Sequence, residues 1–334
     1  MKSEHRPMLP GNVSGGGHSP EPGTERKRSS ALSETVVSYL FLAPLALVLL
    51  VFSFYPVVSS FVLSLHRIVL SLHRIVLSLP GLGESWVGLA NYTHFFHDPV
   101  ARDSLVTTFM FVAASTGLEI VLGLCIALTV NEAFRARTLV RTAILIPWAI
   151  PTVIASQMWR FAFNDQYGLI NYLVYGSHVT LYQAWLAWPW WALGAIVAAD
   201  VWKTSSFTAL IMLAGLQTIP DELYEAARLD GAGVFQRFSR ITLPLLKPAI
   251  LVALTFRTMD AFRAFDIVYV MTQGGPGDFT NVIQFYGYKS MFSEGRVGYG
   301  SAISIVTFLI VFGISLAYLK LIGSSLLGGK GQIS

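Results

Sequence analysis

Six apolar stretches, each long enough to cross a bilayer as a helix, decide what this chain can become. They run at about 36–65, 104–131, 139–163, 187–214, 248–272 and 298–322. A hydrocarbon core about 30 Å thick is crossed by roughly 20 helical residues. Within it every backbone N–H and C=O must be satisfied internally, which leaves helices or closed barrels. A barrel would show alternating segments of roughly 10 residues, and these stretches are continuous instead. Only 13% of the 334 residues are charged, against about a quarter in soluble domains. The fold class is all-α transmembrane with six spans.

Lysine and arginine set the sidedness, because cytoplasmic loops collect them. Fourteen fall on one side: five in the N-terminal tail, Arg135, Arg137 and Arg141, then Arg228, Arg237, Arg240 and Lys247, and Lys320 and Lys330 at the C-terminal end. The alternate loops hold six, namely Arg67, Arg74, Arg102, Arg160, Lys289 and Arg296. Both termini are therefore expected in the cytoplasm of a multi-pass protein of the cytoplasmic membrane. Residues 1–34, rich in Gly, Pro and Ser, read as a disordered tail, 35–325 as the transmembrane domain, and 326–334 as a second cytoplasmic tail. The first span is too long for a signal-peptide core and is read as retained.

Cys125 has no possible intrachain partner and reads as a small buried hydrophobe. A seven-residue unit is repeated in tandem at 63–79, "LSLHRIVLSLHRIVLSL". It reads either as an amphipathic helix on the outer membrane surface or as a duplication that lengthens a tolerant loop.

The longest polar passage of the second half, "DELYEAARLDGAGVFQRFSRITLPLLKP" (221–248), lies in a cytoplasmic loop, 217–247. Pro220 suits a helix start, and acids in the first turn favour the helix that follows. Gly231 and Gly233 break it. A second short helix is expected from Val234, with Pro244 and Pro248 returning the chain to the membrane. Glu225, Arg228 and Asp230 would stand on this knob beside Ala226, Ala227 and Ala232, an arrangement suited to docking in a cleft.

This passage resembles the E-A-A, three residues, G, nine residues, I-x-L-P pattern of binding-protein-dependent ABC importer membrane subunits. Every fixed position is met: Glu225, Ala226, Ala227, Gly231, Ile241, Leu243 and Pro244. The resemblance implies a six-helix type I permease fold whose loop is a coupling helix seated on a separate ATPase. Glu225 would be the charged contact, Gly231 the turn, and Ala226 and Ala227 the close-packing face. "RTAILIPWAIPTVIAS" (141–156), "DVWKTSSFTALIMLAGLQTIPDELYEAA" (200–227) and "KPAILVALTFRTMDAFRAFD" (247–266) resemble the carbohydrate branch, the maltose and trehalose type.

Charge inside the membrane marks a candidate cargo path. Arg257, Asp260, Arg263 and Asp266 follow one another at intervals of three in the fifth span. They read either as an ion-pair ladder between helices or as a polar wall to the path. Glu119 in the second span is expected to pair with one of those arginines. Pro147 and Pro151 flank Trp148 in the third span and free backbone groups for a cavity, and Trp offers a flat apolar face on which a sugar ring could stack. The fourth span carries Asp200, Trp202, Lys203, Thr204 and Ser205 together. By resemblance, the sugar site falls near Trp148, Thr152, Asp200, Thr204, Phe207 and Arg257. "TQGGPG" (272–277) would face an extracytoplasmic binding protein.

"GSSLLGGKG" near the C-terminus has the wrong Gly-to-Lys spacing for a phosphate-binding loop. No catalytic or metal constellation is apparent, so no cofactor is expected in this chain. ATP and Mg would be bound by the partner ATPase dimer. The other expected partners are a second homologous permease, an extracytoplasmic sugar-binding protein, a disaccharide such as trehalose or maltose, and membrane lipid; nucleic acid is not among them. Glycerol phosphate or another oligosaccharide is the alternative cargo. A stand-alone secondary transporter is the alternative class, although no internal repeat of the kind those folds use is visible.

Overall fold

The computed structural model describes residues 28–68, 84–132 and 134–328. Most of the two tails and the tandem heptad beyond Ile68 lie outside the described residues. The chain divides into two compact units, Met1–Pro56 and Val57–Ser334.

Among the described residues, five helices are long and apolar enough to cross a membrane: α1 (Val36–Ser64), α3 (Pro99–Asn131), α7 (Pro189–Leu216), α9 (Val234–Phe262) and a sixth-span helix, Val297–Leu321. A bent pair, α4 (Arg137–Ala149) and α5 (Thr152–Ala162), completes the set if it counts as one span. In the first unit, Leu40, Phe41 and Phe52 stand exposed, as side chains meant for lipid would.

The pair α4 and α5 departs from the single span expected at 139–163. The two helices meet at 89°, with Ile150 and Pro151 extended between them. Pro151 has no N–H to continue the ladder, and its ring pushes the residue before it out of the helical region. The fifth span also differs. It runs unbroken from Val234 instead of starting near 248, so the expected second short helix is the first part of α9 itself. A π turn at Phe238–Thr242 passes the Leu243 N–H to Phe238 O, which carries the ladder up to Pro244. Near the other end, Phe262 closes α9, and 266–271 form a separate short helix, α10 (Asp266–Met271).

Small residues let the spans approach. A Cβ on Gly123 of α3 would lie 2.6 Å from Thr208 Cγ2 of α7, and one on Gly215 of α7 would lie 2.5 Å from Ala249 Cβ of α9. Phe111, Ile196, Phe262 and Val268 fill the core between these helices. Cys125 is exposed, not buried; it sits on the outward side of α3.

Where the heptad begins, His66–Ile68 (β1) is a strand, not part of an amphipathic helix. It pairs antiparallel with Glu84–Trp86 (β2), His66 opposite Trp86. Asn91, on the short helix α2 (Ala90–His97), donates Nδ2 to Ser64 O and His66 O and holds the ribbon's base. The remaining elements are α6 (Leu169–Tyr175), α8 (Asp221–Leu229), α11 (Ile283–Tyr288) and α12 (Val297–Gly328), the last containing the sixth span.

Candidate functional site

The polar passage folds as a compact knob. Pro220 caps α8, and Asp221 and Glu222 occupy its first turn, where carboxylates meet the positive end of the helix dipole. At the other end the Ala232 N–H bonds to Ala227 O at 2.8 Å and the Gly231 N–H to Arg228 O at 3.1 Å. That pair of bonds closes the helix around a left-handed residue, and Gly231 takes that place with φ +78°. Gln236 Oε1 accepts the Gly233 N–H at 3.0 Å and starts α9. Tyr224 OH lies 3.0 Å from Thr242 Oγ1, which ties α8 to α9. Glu225, Ala226, Arg228 and Asp230 are exposed on this knob, with Ala227 and Ala232 half-buried. Three apolar side chains not anticipated from sequence stand out beside them: Leu229 is 90% exposed, Phe235 79% and Val234 75%. Large apolar groups left exposed on a polar knob are the kind of feature from which docking surfaces are built.

A second constellation lies where α3, α7 and α9 meet. Arg257 is closed to solvent, its side chain 3% exposed and that of Glu119 0%. Arg257 Nε donates to Glu119 Oε2, and Nη2 donates to Glu119 Oε1 at 2.8 Å and to Asp200 Oδ2 at 3.3 Å. Nη1 donates to Asp260 Oδ2 at 2.6 Å. The Thr204 hydroxyl lies 2.7 Å from Glu119 Oε1 and 2.6 Å from the Asp200 carbonyl. One guanidinium thus holds three carboxylates, and four of its five N–H groups are taken. The expected Glu119–arginine pair is formed, with Arg257. The fifth-span charges are not one ladder, however. Arg263 and Asp266 are exposed beyond the end of α9, and neither makes an ion pair among the described residues. Asp260 is the open end of the cluster, its side chain 68% exposed.

Trp148 and Phe207 lie face to face, centroids 5.5 Å apart and planes 13° apart, with Phe256 edge-on to Phe207 at 6.3 Å. Trp148 is about half exposed. Lys203 Nζ donates to its carbonyl at 3.4 Å. Thr152 opens α5 and its carbonyl accepts from Ser156 Oγ at 2.7 Å. Of the residues proposed for the cargo path, Asp200, Thr204, Arg257 and Asp260 form one bonded group, and Trp148 and Phe207 a stacked pair.

Residues 119–322, which hold both the knob and the acid–base cluster, match the family model for the binding-protein-dependent transport system inner membrane component. The chain belongs to that family. Among curated relatives, a trehalose/maltose transport system permease protein, MalF of Thermococcus litoralis, is 44% identical over 86% of this chain and 94% of its own length. The trehalose transport system permease protein SugA of Mycobacterium tuberculosis is 38% identical over 91% of this chain and 94% of that one. The sulfoquinovosyl glycerol transport system permease protein SmoG of Agrobacterium fabrum is 39% identical over 87% and 92%. In shape, this permease matches a crystal structure of a bacterial alginate ABC transporter in complex with an alginate pentasaccharide-bound periplasmic protein. The TM-score is 0.73 at 21% identity, covering 88% of this chain and 96% of that one. The fold is the type I permease fold of a multi-pass inner-membrane component, a transport subunit and not an enzyme.

The permease also holds a site that sequence reading passed over. Asp98 caps α3 by accepting the Val100 N–H on Oδ1 at 3.0 Å. Its Oδ2 accepts the Tyr286 hydroxyl at 2.5 Å and that of Tyr299. Burial pushes the Asp98 carboxyl up, but the two phenols and the backbone N–H groups outweigh it and hold it below its ordinary value. Burial and the bond to Asp98 together push the Tyr286 phenol up. The dipeptide Asp98-Pro99 was a legible signal, a capping acid followed by a proline at the first helical position. Nearby, the 272–277 loop is fixed: Thr280 Oγ1 donates to Gly275 O at 2.6 Å and lies 2.7 Å from Thr272 Oγ1.

Proposed function

We propose that this permease is the membrane-spanning subunit of an ATP-driven importer for a neutral disaccharide of the trehalose or maltose kind. The observation that carries the reading is the pair of trehalose-system relatives, 44% and 38% identical and each covered over 94% of its length. The acid–base cluster supports a neutral cargo. A phosphate or sulfonate would need a free guanidinium, whereas Arg257 is already surrounded by Glu119, Asp200 and Asp260. The surplus carboxylates would repel an anion and accept hydroxyl hydrogens from a sugar. In this reading Asp260, Thr152 and the Trp148–Phe207 pair border the cargo path, and Arg257, Asp200 and Thr204 hold that wall in place.

The knob seats on a separate ATPase dimer, which binds ATP and Mg; this chain binds neither. Glu225, Arg228 and Asp230 make its polar contacts and Leu229, Val234 and Phe235 its apolar anchors. Gly231 sets the turn, and Ala226, Ala227 and Ala232 allow close approach. A second permease and an extracytoplasmic sugar-binding protein complete the assembly. Both termini face the cytoplasm, as the lysine and arginine distribution directs.

Co-purification from the native membrane tests the reading, wild type beside Glu225→Lys, together with uptake of labelled trehalose and maltose. An ATPase, a second permease and a binding protein should accompany the wild type, with the ATPase lost from the variant. Wild-type protein that purifies alone and moves sugar on an ion gradient would replace the importer with a secondary transporter. An intact assembly that carries a phosphorylated or sulfonated cargo instead would overturn the neutral-sugar part alone.

A further inference from the structure

A cavity of about 240 Å³ lies between the end of α3, the start of α4 and the end of α7. Ile126, Ile144 and Leu213 form its walls, and Arg141, Ser206 and Gln217 supply its polar atoms. It falls short of the roughly 300 Å³ at which small-molecule pockets begin, and its walls are hydrocarbon, so a sugar does not suit it. Arg141 Nη2 donates to Val130 O at 3.2 Å and so satisfies a free carbonyl at the end of α3. Its Nε, by contrast, is buried with no partner. A buried cationic N–H left without an acceptor is costly, and an anionic oxygen is the acceptor a guanidinium suits best.

Ala214 and Gln217 are exposed at the rim, so the cavity opens to the surroundings of the spans, with Arg141 as its one charged lining residue. Basic pockets between membrane helices on the cytoplasmic side take anionic lipid head groups. We propose that this cavity receives the acyl chain of an anionic phospholipid of the inner leaflet, with its phosphate on Arg141. Hydrocarbon walls, an orphaned cationic donor and an opening toward the surroundings of the spans together fit that one class of ligand. The site is independent of the cargo and of the sugar reading.

The test uses the full-length protein, extracted in mild detergent and analysed by native mass spectrometry before and after titration with phosphatidylglycerol. Phosphatidylcholine is the neutral control and inorganic phosphate the competitor. Wild type should retain phosphatidylglycerol over phosphatidylcholine. Arg141→Gln should reduce retention about fivefold, the effect of roughly one basic side chain at a membrane surface. Ala214→Phe, which blocks the rim without touching charge or core, should reduce retention as well. Arg135→Gln, an exposed neighbour, should not. Equal retention by wild type and Ala214→Phe would overturn the proposal. So would an equal loss in Arg135→Gln, which means diffuse attraction. Complete displacement by inorganic phosphate, which means a free-anion site, would overturn it too.

Discussion

Arg257 of α9 and Glu119 of α3, 138 residues apart in sequence, form a two-pronged ion pair sealed from solvent in the middle of the bundle. Nη2 reaches Oε1 at 2.8 Å while Nε bonds the second carboxylate oxygen. The planar fork matches a carboxylate edge to edge, which a lysine ammonium does not. Asp200 and Asp260 close the remaining approaches. With Asp200 and Thr204 of α7 bonded to the same pair, this cluster ties α3, α7 and α9 to one another at this level.

Removing both members should cost less than the sum of removing each alone. Arg257→Gln leaves three carboxylates facing each other, and Glu119→Gln leaves the guanidinium short of its main partner. Breaking a buried pair costs about 3–5 kcal/mol, because a charge is left uncompensated. The double variant should be the milder change relative to the sum of the singles, and Arg257→Lys should fail to restore wild-type stability. Thermal unfolding of all four in detergent, read as a double-mutant cycle, checks this. Strict additivity would mean the two side chains do not share one interaction.

The turn at Gly231 should tolerate some residues and reject others on backbone grounds alone. A Cβ there meets nothing within 4 Å, yet φ is +78°. The cost of a side chain is thus the left-handed conformation itself, roughly 1–2 kcal/mol for a β-branched residue and less for Asn. Gly231→Asn should keep cargo-stimulated ATP hydrolysis in the assembled importer, and Gly231→Val should lose most of it with the membrane spans still folded. Equal activity in the two variants would sink the idea that this geometry carries the coupling.

Some of this was legible in the sequence because it is local. The 221–244 knob is specified by turn and helix residues a few positions apart, and its capping and its acids fall where the pattern put them. The long-range features were less visible. α9 closes at Phe262 and Asp266 opens a separate helix, so Arg263 and Asp266 do not share the face that Arg257 occupies. The alternation of signs could not reveal that. Pro244 and Pro248 looked like a break, but a π turn ahead of Pro244 absorbs the missing N–H and keeps α9 continuous. The exposure of Leu229, Val234 and Phe235 is set by how the folded knob turns them, which no local pattern of residues reveals.

Close helix packing gives an internal comparison. Gly123 faces Thr208 so tightly that a methyl group would sit 2.6 Å from Cγ2 and 3.1 Å from the Ala209 nitrogen. Gly194, also within a span, has open space at the same position. Gly123→Ala should force α3 and α7 apart and destabilise the protein by about 1–3 kcal/mol, the usual range for overpacking. Gly194→Ala should be neutral or slightly stabilising, since alanine is the better helix former. Thermal unfolding of both variants in the same detergent is the measurement, and equal shifts would refute the close-packing account.

The clamp at Asp98 predicts a pH dependence with a definite sign. Its folded carboxyl lies below its ordinary value, so the folded state holds the proton more weakly than the unfolded one. The stabilisation is fully present above the unfolded value, near 3.9, and is lost as pH falls through the lower folded value. At neutral pH, Asp98→Asn should cost about 1.5–3 kcal/mol, the worth of a hydrogen bond to a charged group, because the amide keeps an acceptor but not the charge. Below about pH 4 the gap between wild type and Asp98→Asn should narrow. Tyr286→Phe should lower stability at neutral pH by a smaller amount, since Tyr299 still donates to the same oxygen. Unfolding of the three proteins followed from pH 7 to pH 3 separates the possibilities. A gap that stays constant across that range would mean the carboxylate's charge contributes nothing, and that Asp98 acts only through shape at the start of α3.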